Sequence, residues 1–273
     1  MFKLKVMTLQ STQFLPFKPR RFRTLRTISA LMLREISTTH GKSAFGYIWA
    51  IAEPAAGILL LTLIFSLALK SPPLGTNFPL FYASGLLPFL AYLDMSGKVA
   101  QSLRFSRPLL AFPAITVLDP ILARTLLNGL TQALVMAIVF SGIIFGFGVD
   151  ITLNAYRIAS AFFMAMTLAI GLGTLNCYLF VRFPFWERIW GIVNRPLFFL
   201  SGVFFTFESI PQPYADYLWA NPLIHLVGEM RRGVYVTYEG EYISYLYVYG
   251  IAGACFGLGL LSLRRYYRTD LHS

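Results

Sequence analysis

The sequence predicts an all-α integral membrane protein with six transmembrane helices, an N-terminal interfacial helix and a re-entrant helical hairpin before the last span. Three observations support this class. Hydrophobic residues make up 56% of the 273 residues and charged residues only 13%, whereas soluble domains carry about 25% charged residues. Several apolar runs approach the roughly 20 residues needed to cross a bilayer. Basic loops alternate with less basic ones between these runs.

The N-terminal region, residues 1–46, is predicted to be cytoplasmic. Within it, residues 23–37 show helical amphipathicity, which is typical of a helix that lies on a membrane surface. The apolar face of this predicted interfacial helix carries Leu25, Ile28, Met32 and Ile36, and the opposite face carries Arg23, Arg26 and Arg34.

The transmembrane domain, residues 47–263, contains six apolar runs, and residues 264–273 form a predicted cytoplasmic tail. The runs lie near residues 48–69, 79–95, 120–147, 158–180, 189–207 and 242–263. The second run is short for a crossing, and a basic coupling loop of about residues 96–116 follows it.

The distribution of Lys and Arg predicts the orientation of the spans. Residues 1–50 hold nine Lys or Arg, and further basic residues follow the second span, the fourth span and the last span. Because cytoplasmic loops are enriched in Lys and Arg, six spans with both termini in the cytoplasm satisfy this pattern. The net charge of +11 therefore needs no nucleic-acid partner.

The segment of about residues 208–241 is too apolar for a free loop and too rich in proline for a span. Pro211, Pro213 and Pro222 forbid one continuous helix, and Asn221 before Pro222 is a favourable helix start. The pattern predicts two half-helices that dip into the outer leaflet and return, surrounded by protein or by a water-filled cavity. His225, alone within this segment, is expected to be a hydrogen-bonded structural residue.

The tripeptide Gly41-Lys42-Ser43 resembles the end of a phosphate-binding loop, but the rest of that motif is missing. Ile36 occupies the place of its first glycine, and no buried strand precedes it. We therefore expect no nucleotide site, no metal site and no set of catalytic residues in this chain. Any ATP is expected to be bound by another chain. Lys42 and Arg34 are instead the cations nearest the first span. They predict either a membrane anchor or a site at which the phosphate headgroup of a lipid-linked substrate is admitted.

Two further groups are candidates for lining a channel. Arg124, Asn128 and Gln132 are spaced i, i+4, i+8 on the third span, which predicts interhelical hydrogen bonds or a channel lining. The fifth run carries aromatic rings that predict either apolar packing or surfaces on which sugars slide. These rings are Phe198, Phe199, Phe204 and Phe205.

Two GxxxG pairs, at Gly142 and Gly146 and at Gly253 and Gly257, predict close helix approach.

Three stretches resemble the permease subunit of ATP-binding-cassette type-2 exporters of polysaccharide. They are "FGYIWAIAEP", "RPLLAFPAITVLDPILARTLLNG" and "RPLFFLSGVFFTFESIPQPYADYLWANPLIHLVGEMRRGVY", and they occur in the family's order from about residue 20 onward. The resemblance is closest to the capsule polysaccharide export permeases of Gram-negative bacteria. Export of O-antigen or of another lipid-linked glycan is the alternative, and a membrane-embedded glycan-processing enzyme is an alternative of a different class.

The resemblance implies a homodimer in the inner membrane that moves lipid-linked polysaccharide to the periplasm. It implies two cytoplasmic ATPase subunits that bind ATP and Mg, and it is compatible with periplasmic and outer-membrane export components. The interfacial helix and the coupling loop are implied to contact the ATPases. In the coupling loop the residues expected to do so are Lys98, Leu103, Arg104, Phe105 and Arg107.

Overall fold

The computed structural model describes residues 23–40, 45–110 and 115–270, and this part of the chain is helical without any strand. Its ten α-helices follow one another as α1 Arg23–Glu35, α2 Phe45–Ala68, α3 Phe78–Ala100, α4 Ser102–Leu110, α5 Leu118–Phe147, α6 Ala155–Arg182, α7 Trp186–Leu200, α8 Tyr214–Trp219, α9 Pro222–Val234 and α10 Tyr245–Asp270. A π-helical turn, Ile36–His40, continues α1, and a 3₁₀ turn, Phe207–Ser209, precedes α8. The predicted all-α class is confirmed.

Five segments of the described chain are long and apolar enough to cross a membrane. They lie in α2, in α3 with its continuation into α4, in α5, in α6 and in α10. The fifth predicted run differs, because its helix α7 has 15 residues and ends at Leu200. At 1.5 Å per residue α7 is about 22 Å long, whereas the hydrocarbon core is about 30 Å thick. Gly202 then takes a left-handed conformation with φ of 76°, which turns the chain.

The structure gives the secondary structure of two predicted regions. The coupling loop is largely helical, because α3 continues to Ala100 and α4 begins at Ser102. The predicted tail is also helical as far as Asp270, because α10 does not stop at the end of the apolar run.

Helix α3 lies at the centre of the bundle and is buried along most of its length. Tyr82, Tyr92 and Met95 belong to its fully buried face, which packs against α2, α5, α6 and α9. The apolar surface of α3 is therefore covered by other helices of the chain rather than by lipid. Helix α3 therefore acts as the framework on which the other helices are placed.

Close helix packing occurs at glycines other than the predicted pairs. A Cβ at Gly171 of α6 would lie 2.3 Å from the Ala252 carbonyl oxygen of α10, and one at Gly259 would lie 2.6 Å from the Leu175 nitrogen. The four GxxxG glycines have no neighbouring atom within 4 Å of such a Cβ. The prediction of close approach at those pairs was therefore wrong within the chain, since spacing alone does not show which way a glycine faces.

The segment between α7 and α10 contains two short helices, as predicted. Asn221 accepts a hydrogen bond from the Leu223 N–H at 3.1 Å, with Pro222 in the first turn of α9. The Asn221 side chain also donates to the Leu200 carbonyl oxygen at 3.0 Å, which ties α9 to the end of α7. This capping residue therefore fixes both the start of α9 and its place in the bundle.

The helix ends group into two faces of the bundle. Leu103 of α4, Cys177 of α6 and Leu263 of α10 belong to one buried cluster, so these three helix regions share one end, which we call the α4 end. At the opposite α9 end, the Asn154 N–H donates to the Gly233 carbonyl oxygen at 2.8 Å. The prediction that the α4 end faces the cytoplasm rests on the charge of its loops.

Candidate functional site

A buried ion pair joins α1 to α5 at the α4 end. The Arg124 Nε atom lies 3.3 Å from Glu35 Oε1, and both side chains are less than a tenth exposed. Arg124 Nη1 also donates to the Lys98 carbonyl oxygen at the end of α3, at 2.8 Å. A buried charge requires such compensation, so Arg124 holds α1, α3 and α5 together.

Phe105 of α4 lies between two guanidinium groups. The Cζ atom of Arg34 on α1 is 5.2 Å from the ring centroid, and that of Arg124 on α5 is 4.2 Å from it. A cation within about 6 Å of an aromatic face is attracted by the ring. We call Arg34, Glu35, Phe105 and Arg124 the clasp, because together they connect α1, α4 and α5.

The packing of α1 differs from the predicted interfacial helix. Ile28 and Leu31 are buried against Ala123 of α5, whereas Leu25 is exposed. Arg34, predicted on the solvent face, points to Phe105 instead. Part of the apolar face of α1 is thus covered by the protein's own α5, which amphipathicity alone does not distinguish from a membrane surface.

Arg104 connects α4 to the beginning of α7. Its Nη1 atom donates to Glu187 Oε2, and its Nη2 atom donates to the Phe180 carbonyl oxygen at 2.7 Å. The Trp186 indole N–H donates to Asn176 Oδ1 at 3.0 Å and fixes the turn between α6 and α7. Helix α4 is therefore bound to α1 and α5 on one side and to α6 and α7 on the other.

The structure separates the predicted coupling residues into different environments. Leu103 is only 3% exposed and packs in the buried cluster of the α4 end, so it is not available to a docking partner. Lys98 forms an ion pair with Asp94 at 2.9 Å. Arg107 is exposed on α4. The side chain of Leu103 points into the bundle, and its role in ATPase coupling stays a prediction.

The polar stripe on the third span forms interhelical and intrahelical bonds. Asn128 is buried and donates to the Arg124 carbonyl oxygen at 2.8 Å. Gln132 donates to Asp94 Oδ2 on α3 at 2.8 Å. These contacts favour the interhelical interpretation over a channel lining.

Three of the predicted aromatic residues, Phe198, Phe199 and Phe204, form a connected cluster. Phe198 contacts Phe89 of α3, with ring centroids 5.4 Å apart, and Phe204, with centroids 5.0 Å apart. Phe199 stacks on Phe204 at 5.5 Å, and Phe199 itself is 61% exposed. The inner rings therefore pack in the core, and the outer one presents an apolar face to the surroundings of the chain.

Arg231 of α9 is a buried charge within the segment predicted to re-enter the membrane. Its Nη1 and Nη2 atoms donate to the Phe205 and Val203 carbonyl oxygens at 2.6 and 3.2 Å, and it lies 4.4 Å above the Phe81 ring. Arg231 thus fixes the turn after α7 against α3. Every residue of α9 from Leu223 to Arg231 is buried, so no helical periodicity in the sequence distinguishes Arg231 from an exposed residue.

His225 is hydrogen-bonded on both ring nitrogens, which confirms its predicted structural role. Nε2 donates to the Trp219 carbonyl oxygen at 2.9 Å, since Nδ1 accepts from the Ser244 N–H at 3.3 Å. Burial lowers the pKa of His225 below its ordinary value, and the bond to Trp219 opposes this shift. The ring is therefore neutral at neutral pH.

The α9 end also contains a cavity of about 690 Å³. Glu208 accepts a hydrogen bond from Tyr238 at 3.0 Å, and the Tyr238 and Tyr242 hydroxyls lie 3.2 Å apart. Phe207 stacks on Tyr242, with ring centroids 4.1 Å apart. These groups line one side of the cavity and fix the connection from α9 to α10.

The predicted headgroup site lies partly outside the described residues. Arg34 has a position in the clasp, whereas Lys42 belongs to residues 41–44, of which the structure gives no description. The Arg34 Nη1 atom is buried and has no hydrogen-bond partner in the described chain.

Five helical segments of bilayer length, with further helices clasped to one end of the bundle, define a multi-span membrane protein. The chain belongs to the ABC-2 type transporter family, whose model matches residues 26–235. It is 32% identical over 244 residues to the polysialic acid transport protein KpsM of Escherichia coli, covering 87% of this chain and 93% of that relative. It is 28% identical to the capsule polysaccharide export inner-membrane protein BexB of Haemophilus influenzae, covering 85% and 89%. It is 26% identical to the capsule polysaccharide export inner-membrane protein CtrC of Neisseria meningitidis, covering 87% and 90%.

Proposed function

We propose that this chain is the permease subunit of an ATP-driven exporter that moves lipid-linked capsular polysaccharide across the inner membrane. The observation that carries the proposal is family membership over most of the chain, together with relatives whose names specify capsule polysaccharide export or polysialic acid transport. An O-antigen export system permease, RfbA of Klebsiella pneumoniae, is also similar but only 22% identical. Capsular cargo is therefore favoured over O-antigen.

The proposed docking surface for the ATPase is the exposed side of α4. Arg107 is exposed there, next to Arg104, which links α4 to α7. A movement of α4 caused by ATP hydrolysis would reach α1 through the clasp and α7 through Arg104. This arrangement supports a coupling role for α4, with the buried Leu103 serving as its attachment to the bundle.

A homodimer with both termini in the cytoplasm completes the proposal. Helix α7 has no buried residue, and the apolar span in α2 is only 11% buried within the chain. Arg195 is exposed in the middle of α7. Because charged side chains at membrane depth face a cavity or another protein, α7 is proposed to face a second copy, with Phe199 at the channel between them.

The sixth crossing and the re-entrant segment are also part of the proposal. Helix α7 and the turn fixed by Arg231 would span the bilayer together, and α8 and α9 would lie within the outer leaflet. The backbone of this segment is bonded to side chains, since Asn221 donates to the Leu200 carbonyl oxygen and Arg231 to that of Phe205, and non-helical backbone at membrane depth requires such partners.

The substrate's phosphate headgroup is proposed to enter beside Arg34 and Lys42. The Nη1 atom of Arg34, which has no hydrogen-bond partner within residues 23–40, 45–110 and 115–270, supports this role, because a guanidinium forms strong charge-assisted bonds to phosphate. Replacing both residues with Gln should reduce export and leave dimer formation intact. Normal export by that double variant would leave the segment with an anchoring role only.

Deletion of the chromosomal gene tests the proposed function directly. Cells without the permease should retain lipid-linked glycan on the cytoplasmic side of the inner membrane. Expression of the wild-type chain should restore the glycan to the cell surface. Surface glycan that is unchanged after deletion would refute the proposal. Intact surface capsule with loss of O-antigen alone would instead assign the alternative cargo.

A further inference from the structure

Phe105 is the point at which the proposed docking helix touches the proposed headgroup site. Its ring lies on α4, and the Arg34 guanidinium lies 5.2 Å from its centroid. The second guanidinium, that of Arg124, lies closer at 4.2 Å and is already paired with Glu35. The contact of α4 with α1 within the clasp therefore depends on the charge of Arg34.

The clasp contains two guanidinium groups and one carboxylate. Glu35 neutralises Arg124, whereas the Arg34 Nη1 atom is buried without a hydrogen-bond partner in the described residues. A buried cationic N–H without an acceptor is unfavourable, so an anion from outside the chain would be attracted to it. Arg34 thus combines a buried donor that lacks a partner in the described part of the chain with a contact to α4.

We propose that a lipid phosphate binds Arg34 in competition with the Phe105 ring, and that this exchange signals the arrival of substrate to the docking helix. The inference rests on the proposed function, because it requires that α4 docks an ATPase and that Arg34 meets the headgroup. A phosphate oxygen forms charge-assisted hydrogen bonds that are stronger than a cation–π contact. Binding therefore draws Arg34 away from the ring and frees α4 from α1.

The aromatic ring can be replaced by another apolar side chain. Phe105→Leu abolishes the π face, and Phe105→Tyr retains it. Arg26, an exposed arginine on the same helix, provides a matched control, since Arg26→Gln makes the same charge change as Arg34→Gln away from the clasp.

The test measures ATP hydrolysis by the complex of permease and ATPase in nanodiscs of phosphatidylcholine, with and without phosphatidylglycerol. Phosphatidylglycerol is expected to raise the rate about fivefold in the wild type, the Phe105→Tyr variant and the Arg26→Gln variant, a ratio at the low end of ordinary allosteric coupling. In Phe105→Leu and Arg34→Gln the ratio should fall towards one. A purely structural role for Phe105 would lower both rates and leave their ratio unchanged, and that result would overturn the inference.

Soluble glycerol 3-phosphate, added to discs of phosphatidylcholine alone, distinguishes a lipid headgroup from a free phosphate. No stimulation is expected, and stimulation equal to that by phosphatidylglycerol would overturn the assignment to a lipid. A second readout uses the permease alone, with Cys177 and Cys255 replaced and spin labels at Ser29 and Arg107. Phosphatidylglycerol should lengthen the distance between the labels in the wild type only and not in Phe105→Leu.

The two readouts separate the inference from the proposed function. If the labels respond as expected but hydrolysis does not, docking through α4 is wrong and the competition at Arg34 stands. If the labels in the wild type do not respond to phosphatidylglycerol, the competition itself is wrong, whatever the deletion experiment shows for export.

Discussion

Loss of the Glu35 carboxylate should measurably destabilise the α4 end, because it leaves Arg124 as an uncompensated buried charge. Removal of one partner from a buried ion pair costs about 3–5 kcal/mol in known cases. Arg124 keeps its bond to the Lys98 carbonyl oxygen and its contact with Phe105, so we expect a smaller loss for Glu35→Gln. About 2–3 kcal/mol of the free energy of unfolding should be lost, in keeping with a hydrogen bond to a charged group.

A double-mutant cycle isolates this pair from the other contacts of Arg124. The single variants Glu35→Gln and Arg124→Met are combined, and equilibrium unfolding is followed in mixed detergent micelles. Arg124→Met removes the charge and retains much of the side-chain volume. The coupling energy between the two positions should be about 2 kcal/mol, within the range found for residues in direct contact.

The pair formed by Arg104 and Glu187 provides a matched control. Its side chains are 42% and 36% exposed, compared with 9% and 8% for Arg124 and Glu35. Solvent screens such a pair, so its own cycle should yield about 0–1 kcal/mol. Equal coupling energies in the two cycles, or a value near zero for the buried pair, would refute the argument that burial strengthens the contact.

Three further predictions follow from burial and packing. Leu103→Asp should prevent accumulation of folded protein, as measured by size-exclusion chromatography. Arg107→Glu should yield folded protein that co-purifies with less ATPase. A folded Leu103→Asp variant would contradict the observed packing of Leu103. Gly171→Ala should destabilise the α6–α10 contact by about 1–3 kcal/mol, and Gly253→Ala should not, because only the first added Cβ meets backbone. Burial lowers the pKa of His225 in the folded chain. Just below the ordinary histidine pKa of about 6.5, the unfolded chain therefore binds more protons than the folded chain. Thermal stability should therefore fall as the pH drops from 7 to 5, and a His225→Asn variant with the same pH dependence would contradict this assignment.

Sequence reasoning succeeded where the determining physics is local. The apolar runs that correspond to α2, α5 and α6 are long enough to be recognised as candidate spans, because a bilayer sets a minimum length for a crossing. The start of α9 at Asn221 and Pro222 was predictable for the same reason: capping involves only the first turn of a helix. Family membership, carried by short motifs in a fixed order, was likewise accessible from the residues.

The sequence by itself determined that this protein is helical, membrane-embedded and a member of an exporter family. Only the tertiary structure decided which way each helix faces. Leu103 is buried, and Arg34 contacts the ring of Phe105, which is 71 positions away in the chain. Arg231 acquired partners on the turn after α7. The physical reason is common to these cases: α1, α4 and α9 are amphipathic, and the apolar face of such a helix can be covered by lipid or by another helix of the bundle. Its rotation is then fixed by packing and hydrogen bonds with distant segments, which the local sequence does not encode.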